Sequence, residues 1–175
     1  MSEIELTSTV GINYSKLRDH LAEQDWKNAD ELTKIFMLLV AGTKKQSINP
    51  NLQLNYLDMD CINNFPCTDL HTIDKLWTHY SNNRFGFSVQ KRIWDSLGGS
   101  FYAQRDTWRN FGDLVGWRDG SVRGEWGGGW FFYEQLDFSL TAPLGQFPVA
   151  WTHRESDWKQ RHIALMQRLV SCGKY

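Results

Sequence analysis

The chain has 175 residues, of which 41% are hydrophobic, and a formal net charge of −1 at pH 7. A chain of this length and composition can bury the core of one soluble globular domain. The near-neutral net charge argues against a nucleic-acid-binding protein, which normally has a basic face, and no apolar run reaches the length of a membrane span.

Residues 1–12 are polar and irregular, and they predict a flexible tail ahead of a single domain over residues 13–175. The opening sequence, MSEIELTSTV, lacks the apolar core of a signal peptide and the arginines of a transit peptide. We therefore expect a cytoplasmic protein, although a plastid protein already trimmed of its transit peptide would have the same sequence. The three cysteines are an odd number, which favours a reducing compartment.

Apolar residues at spacings of three and four predict two amphipathic helices after the tail. The first covers residues 13–24 and buries Tyr14, Leu17 and Leu21. Asp25 can cap the second helix and Gly42 is placed to end it. The inward face of this second helix is predicted to comprise Ala29, Leu32, Phe36, Leu39 and Val40. Residues 43–56 are polar and contain Pro50, so they predict a mobile loop.

Residues 57–98 predict a short helix over 58–64 and then a rigid hairpin of two helices. Thr68 can cap the first hairpin helix, Asp69 lies in its first turn, and Ser88 can cap the second. The apolar faces of these two helices are Leu70, Ile73, Trp77 and Tyr80 in the first, and Val89, Ile93 and Leu97 in the second.

The remaining chain predicts two more helices, over residues 101–115 and 156–173, separated by a glycine-rich and aromatic stretch. The first of them presents Trp108, Phe111 and Val115 on one face. Leu136, Phe138 and Leu140 alternate with polar residues, which is typical of a short strand or an extended loop. These helices and little strand predict a mainly α fold, a single compact helical domain.

No sequence motif gives positive support for an enzyme. The chain has no cluster of metal ligands at the usual spacing, no P-loop, no nucleophile elbow and no dinucleotide fingerprint. Cys67 begins a predicted helix, where the helix dipole lowers a thiol pKa, and His71 follows one turn later, so the two could act as nucleophile and base. The alternative, in which Pro66 and Cys67 form a packed helix start, is the favoured interpretation.

Two irregular loops, residues 43–56 and 117–150, carry many large apolar side chains, which need something to cover them. Two interpretations stay open. The loops fold back as a minor core over the helices, or they form a surface for a flat apolar ligand with peripheral acid groups. Cations that could meet such acids, and are equally consistent with solvated surface charges, are Arg118, Arg123, Arg154 and Arg161.

The central stretch FPCTDLHTIDKLWTHYS, followed by RFGFSVQKRIW, resembles the core of the Genomes-Uncoupled-Four (GUN4-like) family of tetrapyrrole-binding proteins. YSKLRDHLAEQDWKNADELT resembles the opening helical pair of that family, and FGDLVGW and YEQLDFSLTAPLGQFP resemble its later loop. The likeness covers residues 13–150 and, more weakly, the tail.

This resemblance implies a non-catalytic, mostly helical protein that holds protoporphyrin IX or magnesium-protoporphyrin IX in a cupped cavity walled by two flexible loops. It implies no required cofactor. It further implies a monomer of cyanobacterial type, associated with the thylakoid surface, that stimulates magnesium chelatase through the large porphyrin-binding subunit of that enzyme in chlorophyll synthesis.

The resemblance also suggests which residues contact the ligand. In this assignment Phe138 packs on the macrocycle and Arg161 pairs with a propionate. The full set of expected ligand-binding residues is Ile48, Leu54, Trp130, Phe132, Phe138, Leu140, Phe147 and Arg161.

Three departures from the family pattern bear on the ligand. Gln146 stands where family members usually have histidine, residues 121–129 are inserted, and we expect this chain to lack the separate helical domain that cyanobacterial members carry. A paralogue that binds haem or a bilin, as carrier or sensor, therefore stays open. A rival from another class is a pigment-free interaction module that binds a protein partner through the aromatic loop. A red-shifted Soret band on mixing with porphyrin would distinguish a tetrapyrrole-binding protein from the pigment-free module.

Overall fold

The computed structural model describes residues 4–46, 56–122, 129–152 and 157–173, and these ranges contain helices and no strand. The mainly α prediction is confirmed. Within the same ranges no helix is both long and apolar enough to cross a bilayer. The helices are α1 Ser15–Ala22, α2 Trp26–Gln46, α3 Met59–Asn63, α4 Cys67–Tyr80, α5 Phe87–Ser96, α6 Arg105–Leu114 and α7 Trp158–Ser171.

The second helix is longer than the sequence predicts and is rotated relative to the predicted face. Helix α2 continues through Gly42 to Gln46, because one glycine costs a helix only about 1 kcal/mol relative to alanine. Leu39 was expected inside but is 48% exposed. The buried stripe instead includes two polar residues, Asp30 and Thr33, both fully buried. The prediction that Asp25 caps this helix is confirmed, since its carboxylate accepts from the Asn28 N–H.

The helix hairpin exists as predicted, but its caps differ. Helix α4 begins at Cys67, directly after Pro66, so Thr68 lies inside the helix and does not cap it. Helix α5 begins after Gly86, and its Ser88 N–H donates to the Asp74 carboxylate at 2.8 Å. A carboxylate from the neighbouring helix therefore does the capping that the sequence assigns to Ser88.

The N-terminal segment, predicted as a flexible tail, is irregular over residues 4–12 but has specific contacts. The Asp69 carboxylate accepts from the Ser8 hydroxyl at 2.5 Å, the Thr9 N–H at 2.9 Å and the Tyr14 hydroxyl at 2.8 Å. Ile4 is buried in the core. Asp69 lies in the first turn of α4 as expected, and its full burial explains why it collects these donors.

Cys67 and Cys172 form a disulfide that joins the start of α4 to the end of α7. Their Cα atoms lie 5.4 Å apart although 105 positions separate them in the sequence. This pairing removes Cys67 as a nucleophile, and it removes the odd cysteine count as an argument for a reducing compartment. Cys61 is the buried free cysteine.

Seven of the 14 residues of the C-terminal helix, α7, are buried. Helix α7 contacts α3 and α5, and α5 also contacts α4 and α6. The predicted α6 face is confirmed, since Trp108, Phe111 and Val115 are all buried. Residues 129–152 are an extended loop with a short 3₁₀ turn at Tyr133–Gln135, and an isolated antiparallel bridge joins Trp130 to Arg118. The alternating pattern around residue 138 is therefore loop and not strand.

Candidate functional site

Residues 129–152, here called the aromatic segment, are attached to the helices by hydrogen bonds along their second half. Gln90 on α5 donates through Nε2 to the carbonyls of Gly145 and Pro148, both at 3.0 Å. Arg84 donates to the Ala142 carbonyl at 2.8 Å, and the Trp117 indole donates to the Gln146 carbonyl at 2.8 Å. The segment from 142 to 150 is thus fixed to the α4–α5 hairpin, which leaves residues 130–140 as its outward part.

The carboxylate of Asp30 fixes the end of the aromatic segment. It accepts from the Val149 N–H at 2.7 Å and from the Ala150 N–H at 3.1 Å. Burial raises the pKa of Asp30 to about 7, and the two backbone donors oppose that rise. Tyr133 lies beside this carboxylate, and burial together with the Asp30 charge raises the pKa of its phenol. Helix α2 therefore holds the segment at Val149 and Ala150.

A stack of aromatic rings connects the aromatic segment to the core. Phe138 stacks on Phe147 at 5.2 Å, and Phe147 stacks on Trp77 of α4 at 6.1 Å. Phe147 is fully buried, so in this conformation it supports Phe138 from beneath and does not line an outer surface. Lys27 of α2 lies with its Nζ 5.6 Å from the centre of the Phe138 ring. Phe138 thus sits between buried rings and a cation.

One face of helix α7 contacts both the aromatic segment and Tyr56. Trp130 of the aromatic segment lies 4.8 Å from Trp158, between ring centres. Arg161 follows Trp158 by three positions, which places it on the same face one turn along. The Arg161 guanidinium lies 5.1 Å from the centre of the Tyr56 ring, and Tyr56 is the last residue of the loop predicted over residues 43–56. A single helix face therefore joins the aromatic segment to the end of that loop.

The expected ligand-binding residues are distributed unevenly over this region. Phe132 and Leu140 are 59% and 38% exposed, so their apolar side chains face solvent. Trp130 and Phe138 are half-buried, and Arg161 is buried at 5% exposure. Ile48 and Leu54 lie outside the described residues, as do Trp126, Arg123 and Arg154, so the cupped cavity between the two loops stays a prediction.

Several residues of this region were missed by the sequence reasoning. Asp30 and Lys27 were overlooked because charged residues of a helix are expected in solvent. A signal existed for Asp30, since it lies four positions after Trp26 and between buried neighbours on α2. Trp158 could have been found by its spacing of three from Arg161. Tyr56 had no comparable signal, because its partner is distant in sequence.

His162 is a further buried group behind the same helix face. Its ring lies among Trp108, Phe111, Trp117 and Trp151, with centroid distances from 5.1 to 6.1 Å. Neither ring nitrogen has a hydrogen-bond partner in the described part of the chain. Burial lowers the pKa of His162 to about 3, so the imidazole is neutral at pH 7.

The chemistry of this region suits binding. It contains half-buried rings at Trp130 and Phe138, exposed apolar side chains at Phe132 and Leu140, and cations at Lys27 and Arg161. Among the described residues no group of three or more His, Cys, Asp or Glu is placed to hold a metal ion. Stacking surfaces beside cations match a flat apolar molecule with acid groups.

Comparison with known sequences gives relatives over most of the chain. A Ycf53-like protein of Synechocystis is 35% identical over 144 residues, which is 82% of this chain and 54% of that protein. The chain spans about half the length of the curated relatives it matches. A chloroplastic protein of Arabidopsis thaliana named tetrapyrrole-binding protein is 31% identical over 81 residues, or 46% of this chain and 28% of that protein.

Comparison with solved structures agrees. The structure of GUN4 from Chlamydomonas reinhardtii superimposes with a TM-score of 0.70 at 29% identity, and the match covers 95% of this chain and 96% of that one. The ligand-free structure of Arabidopsis thaliana GUN4, at 22% identity and a TM-score of 0.66, shares the fold. The family model described as GUN4-like matches residues 7–165. The chain therefore belongs to the GUN4-like family.

Proposed function

We propose that this protein binds a tetrapyrrole without altering it, on the surface made by the outward part of the aromatic segment and by α7. The observation that carries the proposal is the contact of Trp130 and Tyr56 with one α7 face, at Trp158 and Arg161. Protoporphyrin IX and magnesium-protoporphyrin IX are the proposed ligands, and the name of the Arabidopsis relative supports the ligand class.

In this proposal some residues contact the ring of the ligand and one pairs with its charge. Phe138, supported by Phe147, is proposed to contact the macrocycle with the ring face over which Lys27 now lies, and exposed Phe132 and Leu140 extend the apolar surface. Arg161 is proposed to pair with a propionate. Ile48 and Leu54, in the earlier loop, complete the expected set. A ligand covered on two sides would lose most of its contact with water, which favours binding of a large apolar ring.

The proposed role is that of a non-catalytic carrier and activator. The protein delivers porphyrin to magnesium chelatase, through the large porphyrin-binding subunit of that enzyme, and acts as a monomer in the cytoplasm or at the thylakoid surface. Membership in the GUN4-like family supports this role. Binding through loops suits ligand exchange, whereas catalysis requires groups held rigidly around the reacting atoms.

Two measurements test the proposal in sequence. Protoporphyrin is first titrated into the protein while tryptophan fluorescence is followed, since Trp130 and Trp158 lie at the proposed surface and should be quenched. The absence of saturable quenching and of a red-shifted Soret band would reject tetrapyrrole binding and favour the pigment-free interaction module. The protein is then added to reconstituted magnesium chelatase at limiting porphyrin, where an increased rate of magnesium insertion is expected.

A second candidate is a carrier or sensor of haem or a bilin. The Gln146 side chain, at the position where family members usually have histidine, is 1% exposed and its Oε1 has no hydrogen-bond partner among the described residues. The side chain that differs from the family pattern is therefore buried and does not face the outer surface of the aromatic segment. Bound porphyrin together with an unchanged chelatase rate would favour this candidate.

A further inference from the structure

A polar cavity of about 410 Å³ lies between α4 and α5. The side chains that matter for its charge are Lys75, Lys91, Arg92, Asp74 and Asp95, and His71 also lines it. The volume is within the range of small-molecule sites, about 300–1,000 Å³. The cavity is therefore large enough for an organic ion as well as for an inorganic one.

The cavity lies on the opposite face of α4 from the aromatic stack. His71, Lys75 and Thr78 are spaced by four and three positions, so they share one helical face. Ile73 and Trp77 occupy the other face, and Trp77 carries the stack that ends at Phe138. The cavity is thus separate from the proposed tetrapyrrole surface.

The two carboxylates of the cavity already have interaction partners. Asp74 is buried and accepts from the Ser88 N–H, and burial raises its pKa although the nearby Arg92 opposes that rise. Asp95 forms an ion pair with Lys91 one turn away on α5. Asp95 is therefore paired with Lys91, and Arg92 is a cation that acts on Asp74.

Two cations of the cavity form no salt bridge with a described residue, although Arg92 interacts electrostatically with Asp74. Lys75 and Arg92 are both exposed, and in the described part of the chain neither side chain makes a hydrogen bond or an ion pair. They come from different helices and face one cavity. A multiply charged oxyanion placed between them could accept a bidentate pair from the guanidinium and a further bond from the ammonium.

We propose that the α4–α5 cavity is a second binding site, which takes a small, multiply charged oxyanion carrying phosphate or carboxylate groups. Lys75 and Arg92 bind the charged groups, and the Lys91–Asp95 pair forms one wall. The site does not depend on the tetrapyrrole surface, so each can fail without the other.

The test measures anion binding to the full chain by calorimetry and by the shift in melting temperature. Pyrophosphate and citrate are the probes, and sodium chloride at the same ionic strength is the control for screening. The variant Lys75→Gln/Arg92→Gln removes the two cations. The variant Lys16→Gln/Arg105→Gln is its matched control, because it removes one lysine and one arginine that are exposed on α1 and α6.

We expect saturable binding of at least one probe to the parent and to the control variant, with binding at least about tenfold weaker in Lys75→Gln/Arg92→Gln, since a charged hydrogen bond contributes about that factor. Binding of pyrophosphate alone would identify a phosphate ligand, and binding of citrate alone a carboxylate ligand. Equal weakening in both variants would overturn the proposal, because the general field of the protein would then explain the effect. Absence of saturable binding of either probe at millimolar concentration would also overturn it. Quenching of tryptophan fluorescence by porphyrin, measured on the same samples, tests the proposed tetrapyrrole surface independently.

Discussion

Phe138 stacks on Phe147, with ring centres 5.2 Å apart and an angle of 21° between the ring planes. Phe147 is fully buried and stacks in turn on Trp77 of α4. A half-buried ring of the aromatic segment therefore rests on the core of the helix hairpin. Such support fixes the orientation of Phe138 before any ligand arrives, which lowers the ordering cost of binding.

The change Phe138→Ala should weaken protoporphyrin binding by about 1–3 kcal/mol, the scale for removal of a buried aromatic contact. Titration followed by tryptophan quenching measures the dissociation constant. Phe101→Ala is the matched control, because Phe101 is a half-exposed phenylalanine between α5 and α6, away from the aromatic segment. An unchanged dissociation constant in a folded Phe138→Ala protein would show that this ring does not contact the ligand.

The change Arg161→Gln should weaken binding of protoporphyrin by about tenfold, because one charged hydrogen bond to a propionate is lost. Binding of the dimethyl ester of protoporphyrin should be unaffected, since the ester has no carboxylate to pair. Arg161→Lys keeps the charge and should restore part of the affinity. Equal loss for the acid and the ester would instead indicate that Arg161 acts through its packing on Tyr56.

Asp30 should make stability depend on pH in a defined direction. Its pKa is about 7 in the folded protein, above the ordinary value of 3.8. The folded state therefore holds the proton more tightly than the unfolded state, and the contribution of this proton to stability is fully present below pH 3.8 and lost as the pH rises through about 7. Asp30→Asn removes the titration.

Urea unfolding of the parent and of Asp30→Asn at a series of pH values measures this contribution. The difference in free energy of unfolding, parent minus variant, should decrease as the pH rises from 3.8 to about 7 and then stay constant. Parallel curves for the two proteins would contradict the assigned titration.

His162 should make stability depend on pH in the direction opposite to that of Asp30. Its pKa falls from 6.5 to about 3 on folding, so the folded state binds the proton less tightly than the unfolded state. The stability that comes from neutral His162 is fully present above pH 6.5 and lost as the pH falls toward about 3.

The change His162→Leu should remove the loss of stability at acid pH, because leucine does not titrate. Leucine also has no buried nitrogen that lacks a hydrogen-bond partner. The free energy of unfolding of the variant should fall less steeply than that of the parent between pH 6.5 and about 3, as measured by urea unfolding. If the free energy of unfolding of the variant fell as steeply as that of the parent at acid pH, His162 would already be hydrated or paired.

Reduction of the Cys67–Cys172 disulfide should lower the free energy of unfolding by about 2–4 kcal/mol, since the bond constrains a long loop of the unfolded chain. Denaturant unfolding with and without a thiol reductant measures the change. Cys67→Ser/Cys172→Ser should be insensitive to the reductant, and Cys61→Ala should keep the parental sensitivity. Three reactive thiols in the denatured, unreduced parent would show that the bond does not form in the isolated protein.

The sequence by itself determined the helical class and the approximate positions of the helices. Apolar residues recur at helical spacing, and this local pattern depends only on which residues must leave water together. The buried faces of α4 and α6 were predicted at Trp77 and Trp108 for that reason. Resemblance of the central hairpin also gave the family, because a long ungapped stretch carries more information than any single motif.

Tertiary structure decided the features that depend on a distant partner. Asp30 and Asp69 are buried because backbone and hydroxyl donors from remote segments reach them, and no local pattern predicts such donors. Cys67 met Cys172 only because α4 and α7 pack together across 105 positions. Phe147, expected beside the ligand, became the support for Phe138 once the stack on Trp77 was formed. Hydrophobic periodicity reports which side chains are buried, but the partner of a buried group is fixed by how the helices assemble.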